Sequence, residues 1–215
     1  MVVFCGKTGE MIDLDRLSMD DICQRLKMQP GPTYDVPPEM LRADSREAAV
    51  LIPFLRVEDS WHILYIRRAL LDRDRHSGQV AFAGGKRELE DESLKITALR
   101  EAEEEVGFKQ SDVTILGKLN HHHTISEFQV TPYVGLAPWP YPLVLDEGEV
   151  AHAFTIPLNW LANSSNYRTE QRFHKDSKRP WPVIHYQPFN DELLWGATAR
   201  MTLSLIDVLN RTPST

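Results

Sequence analysis

GGKRELEDESLKITALREAEEEVGF, residues 84–108, is the stretch on which the fold turns. Residues 93–106 have helical composition, and Gly107 behind them is a natural C-cap, because glycine enters the left-handed conformation at a helix end without a Cβ penalty. At about 100° per residue Glu101, Glu104 and Glu105 fall within one third of the helix circumference, and Leu99, Ala102 and Val106 form an adjoining apolar stripe. Glu101 and Glu105 stand one above the other. Like charges at this spacing destabilise an isolated helix by about 0.2–0.5 kcal/mol per pair, and more if the stripe beside them is buried. A hard divalent cation reverses that sign, since magnesium takes one or two carboxylates together with waters and phosphate oxygens. An acidic helix is otherwise a solvated face. Here Gly85 precedes the helix, Arg100 leads the carboxylates and Gly107 ends them, an ordered set that a solvated face does not require.

Upstream of this helix, GQVAFAGG (78–85) reads as one short buried strand ending in a double glycine, so that the unit is strand, glycine turn, helix. LLDRDRHSG (70–78) reads as an exposed loop. AAVLIPFLRV (48–57) and WHILYIRRA (61–69) flank a polar turn at 58–60 and predict a hairpin. Residues 1–46 read as a peripheral extension, with Ser18 capping a short helix through Met28 and five prolines and glycines between Pro30 and Pro38 breaking regular structure. Downstream, VTILGKL (113–119) and QVTPYVGLAP (129–138) predict strands, and a strand or turn from Glu149 leads to a helical start near Pro157. RTEQRFH (168–174) and WPVIHYQP (181–188) predict another strand pair, and apolar spacing through Met201, Leu203, Leu205, Ile206 and Leu209 predicts a packing helix over 196–210. The expected organisation is an extension over 1–46, one domain over 47–211 and a polar tail over 212–215.

The 215 residues are 42% hydrophobic and 26% charged, the profile of a globular chain able to bury one core. No apolar run approaches the roughly 20 residues that span a bilayer, and the N-terminus lacks the order of a secretion signal, so a cytoplasmic, membrane-free protein is expected. Cys5 and Cys23 exclude a disulfide framework or a cysteine zinc site. A net charge of -7 argues against a nucleic-acid partner. The charge is not even, however: Arg67, Arg68, Arg73, Arg75, His76, Lys86 and Arg87 lie directly before the acidic cluster. That juxtaposition suits a small polyanion bound through metal, although each of these arginines could instead pair with Asp72, Asp74 or Glu88.

At this point the residues resemble a known family. The Nudix hydrolases carry a box written G-x5-E-x7-R-E-U-x-E-E-x-G-U, with U apolar, and residues 100–108 fill its second half without mismatch. In the first half Glu92 keeps its spacing to Arg100, but the glycine position falls on Lys86, so the turn after Gly85 carries one extra residue. The coenzyme A pyrophosphatase branch is similar in this longer turn, in an acid near Asp91, and in a pattern close to GQVAFPGG, matched by residues 78–85 with Ala83 in place of proline. His76, QVTPYVG (129–135), Glu149 with Val150 and LLWGATARM (193–201) also look like this branch. The RSxxLRxH stretch departs, with Ala69 for serine and one added residue.

The resemblance implies an α/β fold, an α/β/α sandwich around a central mixed sheet, with the box as loop, helix and loop. It implies Mg2+ or Mn2+ held by Glu101 and Glu105, with Glu104 and the Gly85 carbonyl as further ligands and Arg100 orienting the carboxylates. The general base is Glu101 or Glu149, the latter in the acidic turn DEGE (146–149). Arg67, Arg68, Arg75, His76, Gln79 and Lys86 are the candidate contacts to a nucleotide diphosphate substrate, with arginine suited to bidentate phosphate binding. The expected reaction is cleavage of coenzyme A or a derivative to 3',5'-ADP and 4'-phosphopantetheine. ADP-ribose, a nucleotide sugar or a dinucleoside polyphosphate is an alternative substrate, and a silent nucleotide-binding module is the alternative class. A homodimer is an expectation at the level of the family.

Two features fall outside this scheme. His121, His122 and His123 suggest a metal tract, but strand alternation sends neighbouring side chains to opposite faces. The five tryptophans read as core or rim residues, one of which could stack on a base.

Overall fold

The computed structural model describes residues 13–28, 45–70, 77–124, 128–173 and 180–211. The expected loop over 70–78 lies largely outside the described residues, and with it Arg73, Arg75 and His76.

A mixed sheet forms the middle layer. Strands β1 (Arg46–Val57) and β2 (Ser60–Arg68) make the expected hairpin, and β1 from Arg46 to Phe54 also runs parallel to the whole of β7 (Phe128–Leu136). Strands β5 (Thr114–Lys118) and β6 (His122–His123) pair antiparallel with β7, while β8 (Val150–Pro157) pairs antiparallel with β2. The stretch 78–85 is not one strand. It divides into β3 (Val80–Ala81) on β2 and β4 (Gly84–Lys86) on β1, because the Ala83 carbonyl turns to accept from Leu51 N–H at 2.9 Å and the chain changes partner there.

Alternation along β1 and β2 divides the core. Ala49, Leu51, Leu55, Leu64 and Ile66 face the helix α2 (Leu94–Val106), packing on Ala98, Leu99, Ala102 and Val106. Ile52, Phe54, Ile63 and Tyr65 face the other layer, made by α1 (Met19–Lys27), α3 (Leu158–Ala162) and α4 (Gly196–Leu209). Strands β9 (Tyr167–Arg172) and β10 (Trp181–Tyr186) form a separate antiparallel pair against α4. Buried side chains filling both sides of the sheet make the architecture an α/β/α sandwich.

Two local expectations meet their physical cause. Ser18 caps α1 through a reciprocal box with Asp21, and Gly107 ends α2 at φ 80°. Residues 14–26 are less peripheral than the expected extension. Leu14, Leu17, Ile22 and Leu26 are buried in the same core as α4, and the Arg25 guanidinium donates to the Leu209 carbonyl, one of the acceptors left open at the end of that helix. No helix among the described residues is long and apolar enough to cross a membrane.

Candidate active site

The double glycine brings strand and helix together. A Cβ on Gly84 would stand 2.4 Å from the Ala49 carbonyl oxygen, and one on Gly85 would stand 2.5 Å from Glu101 Oε1. Only a bare backbone allows β4 to lie between β1 and the carboxylates. Gly84 N–H donates to Glu105 Oε2 at 3.0 Å, so the turn is fastened to the helix it precedes.

Arg100 organises the acidic face. Its Nε and Nη2 donate to Asp91 Oδ1 and Oδ2, both at 3.1 Å, Nη1 donates to Glu104 Oε2 at 2.9 Å, and Nη2 lies 2.9 Å from Glu101 Oε1. Nη2 also donates to the Lys86 carbonyl at 3.3 Å, tying the glycine turn to the same guanidinium. Asp91 is buried and also accepts from Glu88 N–H; the Arg100 bonds are the main reason its carboxyl is held down at about 2. Asp91 therefore anchors the residue that positions Glu101 and Glu104. The sequence flagged it only through the resemblance, since an isolated Asp in an acidic loop has no periodicity to mark it.

Glu105 differs from its neighbours. It is 2% exposed, and burial pushes its carboxyl up to about 8, against the lowering effects of Gly84 N–H and Arg68 and with Glu101 and Glu149 adding to the rise. Arg68 Nη1 stands 3.7 Å from Glu105 Oε1, close enough for charge pairing but too long for a hydrogen bond, and Oε1 has no hydrogen-bond partner. Glu101 is likewise raised, chiefly by burial, with Arg100 opposing.

Glu149 reaches this edge by backbone pinning. Val144 N–H bonds the Val106 carbonyl and Asp146 N–H bonds the Glu105 carbonyl, which holds the loop before β8 against the end of α2; Ala69 N–H bonds the Glu149 carbonyl at 2.8 Å. The Glu149 side chain is exposed, and its charge contributes to the rise at both Glu101 and Glu105.

Of the expected substrate contacts, Arg68 and Gln79 lie along this edge, the Gln79 carbonyl accepting from Arg68 N–H at 3.0 Å, whereas Lys86 on β4 pairs with Ala48 and faces the side away from α2. Arg67 does not join them. Consecutive strand residues face opposite sides, and Arg67 pairs on the α4 side with Glu192 at 3.2 Å, which also holds His152 at 2.7 Å. Neither partner was visible in the sequence, because Glu192 lies 125 residues from Arg67. Arg75 and His76 lie outside the described residues.

Two observations fit a divalent cation here: a buried carboxylate oxygen without a hydrogen-bond partner, and a glycine cradle open to the carboxylate beside it. Among the described residues no three His, Cys, Asp or Glu side chains stand as a ready ligand set, since Glu101 and Glu104 are both drawn onto Arg100.

A NUDIX domain model matches residues 45–177. A protein of Yersinia pestis (strain Pestoides F) and one of Yersinia pseudotuberculosis serotype O:1b (strain IP 31758), each described as an uncharacterized Nudix hydrolase NudL, are 42% identical over 158 residues, which is 73% of this chain and 76% of theirs. The chain belongs to the Nudix hydrolase family. It is an enzyme acting on phosphorus-containing anhydrides of nucleoside diphosphate-linked compounds, in a family that generally uses divalent metals. Among solved structures, a MutT/nudix family protein from Enterococcus faecalis aligns over 91% of this chain and 70% of its own at 17% identity, TM-score 0.45. A C. elegans Ap4A hydrolase binary complex aligns over 53% of this chain and 81% of its own at 16% identity, also with TM-score 0.45.

Proposed function

We propose that this enzyme hydrolyses the diphosphate bond of coenzyme A or a close derivative, releasing 3',5'-ADP and 4'-phosphopantetheine, with Mg2+ or Mn2+. The observation that carries the metal-dependent chemistry is the Glu105 carboxylate, buried, raised by its burial and lacking a hydrogen bond on Oε1. Glu105, Glu101, Glu104 and the Gly85 carbonyl would hold the cation. When bound, such an ion neutralises the diphosphate and lowers the pKa of water.

The chain's own residues then have separable tasks. Arg100, fixed by Asp91, keeps Glu101 and Glu104 in place. Arg68 balances charge at Glu105 and, from the same edge, can meet a phosphate oxygen. Gln79 lines the same edge. Glu149 is the better-placed general base: Glu101 is bound by Arg100 at 2.9 Å, whereas Glu149 presents an exposed carboxylate from a pinned backbone. The coenzyme A assignment rests on the likeness of residues 78–85, the longer turn before Asp91 and QVTPYVG to that branch.

A substrate panel tests the reading. Coenzyme A, ADP-ribose, a nucleotide sugar and a dinucleoside polyphosphate are compared by kcat/KM with each ion. Coenzyme A should lead; if ADP-ribose or another member leads, the substrate assignment falls. The Glu149→Gln variant should lose the basic group from the pH-rate profile, and an unchanged profile would return that role to Glu101.

A further inference from the structure

The histidine run at 121–123 has no part in the glutamate site, and the fold splits it in an informative way. His122 faces the α4 layer beside Val130, is 2% exposed and has neither ring nitrogen hydrogen-bonded. His123 on β6 and His121 just before that strand share the opposite face, where their rings meet edge to face with centroids 5.5 Å apart. Alternation therefore excludes a three-histidine tract and assembles a two-histidine pair.

We propose that His121 and His123 form a second metal site, one that takes a borderline divalent ion of the zinc, nickel or copper class. Two imidazoles bound to one tetrahedral ion at about 2.0–2.1 Å each hold their ring centroids on the order of 5 Å apart, and the observed separation is close to that. His123 Nδ1 is shielded from solvent and has no hydrogen-bond partner, a state that native structures relieve with a water or an ion. Gln129 lies directly opposite His123 on β7, so its amide oxygen is within reach of the same face as a further donor. Solvent completes the shell.

The ligand chemistry separates this site from the first. Imidazole suits zinc, nickel and copper, whereas the carboxylates and carbonyl of the glutamate edge suit magnesium and manganese. Position separates them too. The order β6, β7, β1, β4 places three strand spacings, roughly 14 Å, between the histidine strand and the glycine turn. Glu47, the nearest acid in the same row of the sheet, is held by Arg87 at 2.9 Å and is not drawn into the pair.

Equilibrium dialysis of the full chain against Zn2+ or Ni2+ in excess Mg2+ tests the proposal. One equivalent should bind with the glutamate edge saturated, and it should persist in Glu105→Gln. His121→Ala and His123→Ala should each weaken uptake by at least about 10-fold, since a lost ligand costs no less than a lost outer-shell partner. His121 is exposed and His123 half-buried, neither in the core, so circular dichroism should be unchanged. Cu2+ bound to the wild type should give nitrogen hyperfine structure from two imidazoles, reduced to one in either variant. No uptake under excess Mg2+, wild-type uptake in either histidine variant, or loss of uptake in Glu105→Gln would each overturn the second site. A failure of coenzyme A hydrolysis would not touch it.

Discussion

Helices α2 and α4 lie on opposite faces of one sheet and are stabilised in opposite ways. Helix α4 is buried almost all round, including Leu205 and Leu209 at 0% exposure, and has no side-chain cap at its N-terminus. Helix α2 buries one stripe, carries stacked carboxylates on the next, and is fastened at every point where it could fray. Ser93 caps its start, Gly107 its end, Val144 and Asp146 zip onto its last carbonyls, and Arg68 and Arg100 offset its charge. The lesson is that a helix bearing a costly acidic face needs external fastening, while a helix that is mostly core needs only burial.

Substitutions on the two helices should therefore have crossed effects. Glu105→Gln should lower kcat/KM by about 10^2- to 10^4-fold, the scale of losing several kcal/mol of charge stabilisation. Its metal-free melting temperature should not fall, because the amide removes a buried ionisable group. Leu205→Ala should do the reverse, costing about 2–5 kcal/mol in denaturant melts while the folded enzyme turns over normally. Near-normal turnover of Glu105→Gln, or a collapse of its fold, would erase the contrast.

Asp91→Asn touches the fastening itself. Weakening the hold on Arg100 should lower stability by about 1–3 kcal/mol and reduce kcat more than it raises KM. Asp91 titrates lower in the folded protein than in the unfolded chain, so its contribution is present above the ordinary carboxylate range and is lost as pH falls toward about 2. The variant should lack that component of acid unfolding. Identical acid limbs would mean that Arg100 is held by other groups.

The smallest effect is expected from pH on the metal-free protein. Glu105 is raised to about 8, so the stability associated with its neutral form is complete below about 4.5 and is lost as pH rises through about 8. In a chelator, wild type should melt about 2–8 °C lower at pH 8.5 than at pH 5.5, relative to Glu105→Gln. Added Mg2+ should close the gap at the higher pH. Parallel melting curves for the two proteins would remove burial as the defining property of Glu105.

Much of this contrast was legible in the linear chain. Composition and a glycine cap placed α2, apolar spacing placed α4, and the spacing from Arg100 to Glu105 marked the acidic face before any packing was known. The division of GQVAFAGG into two strands was not legible, because the change of partner at Ala83 depends on which strand Leu51 belongs to. Nor was the buried role of residues 14–26, whose prolines downstream suggested an appendage while their leucines enter the core.

The sequence alone determined the helix of glutamates, its glycine boundaries and its family, since these depend on local spacing that any folded context must respect. Tertiary structure decided which charges meet. It sent Arg67 to Glu192 and Arg68 to Glu105, made Asp91 the anchor of Arg100, and parted His122 from His121 and His123. Alternation already foretold that neighbours on a strand part, as the histidines do; which partner each charge then finds depends on contacts between residues far apart in the chain, information that no local pattern contains.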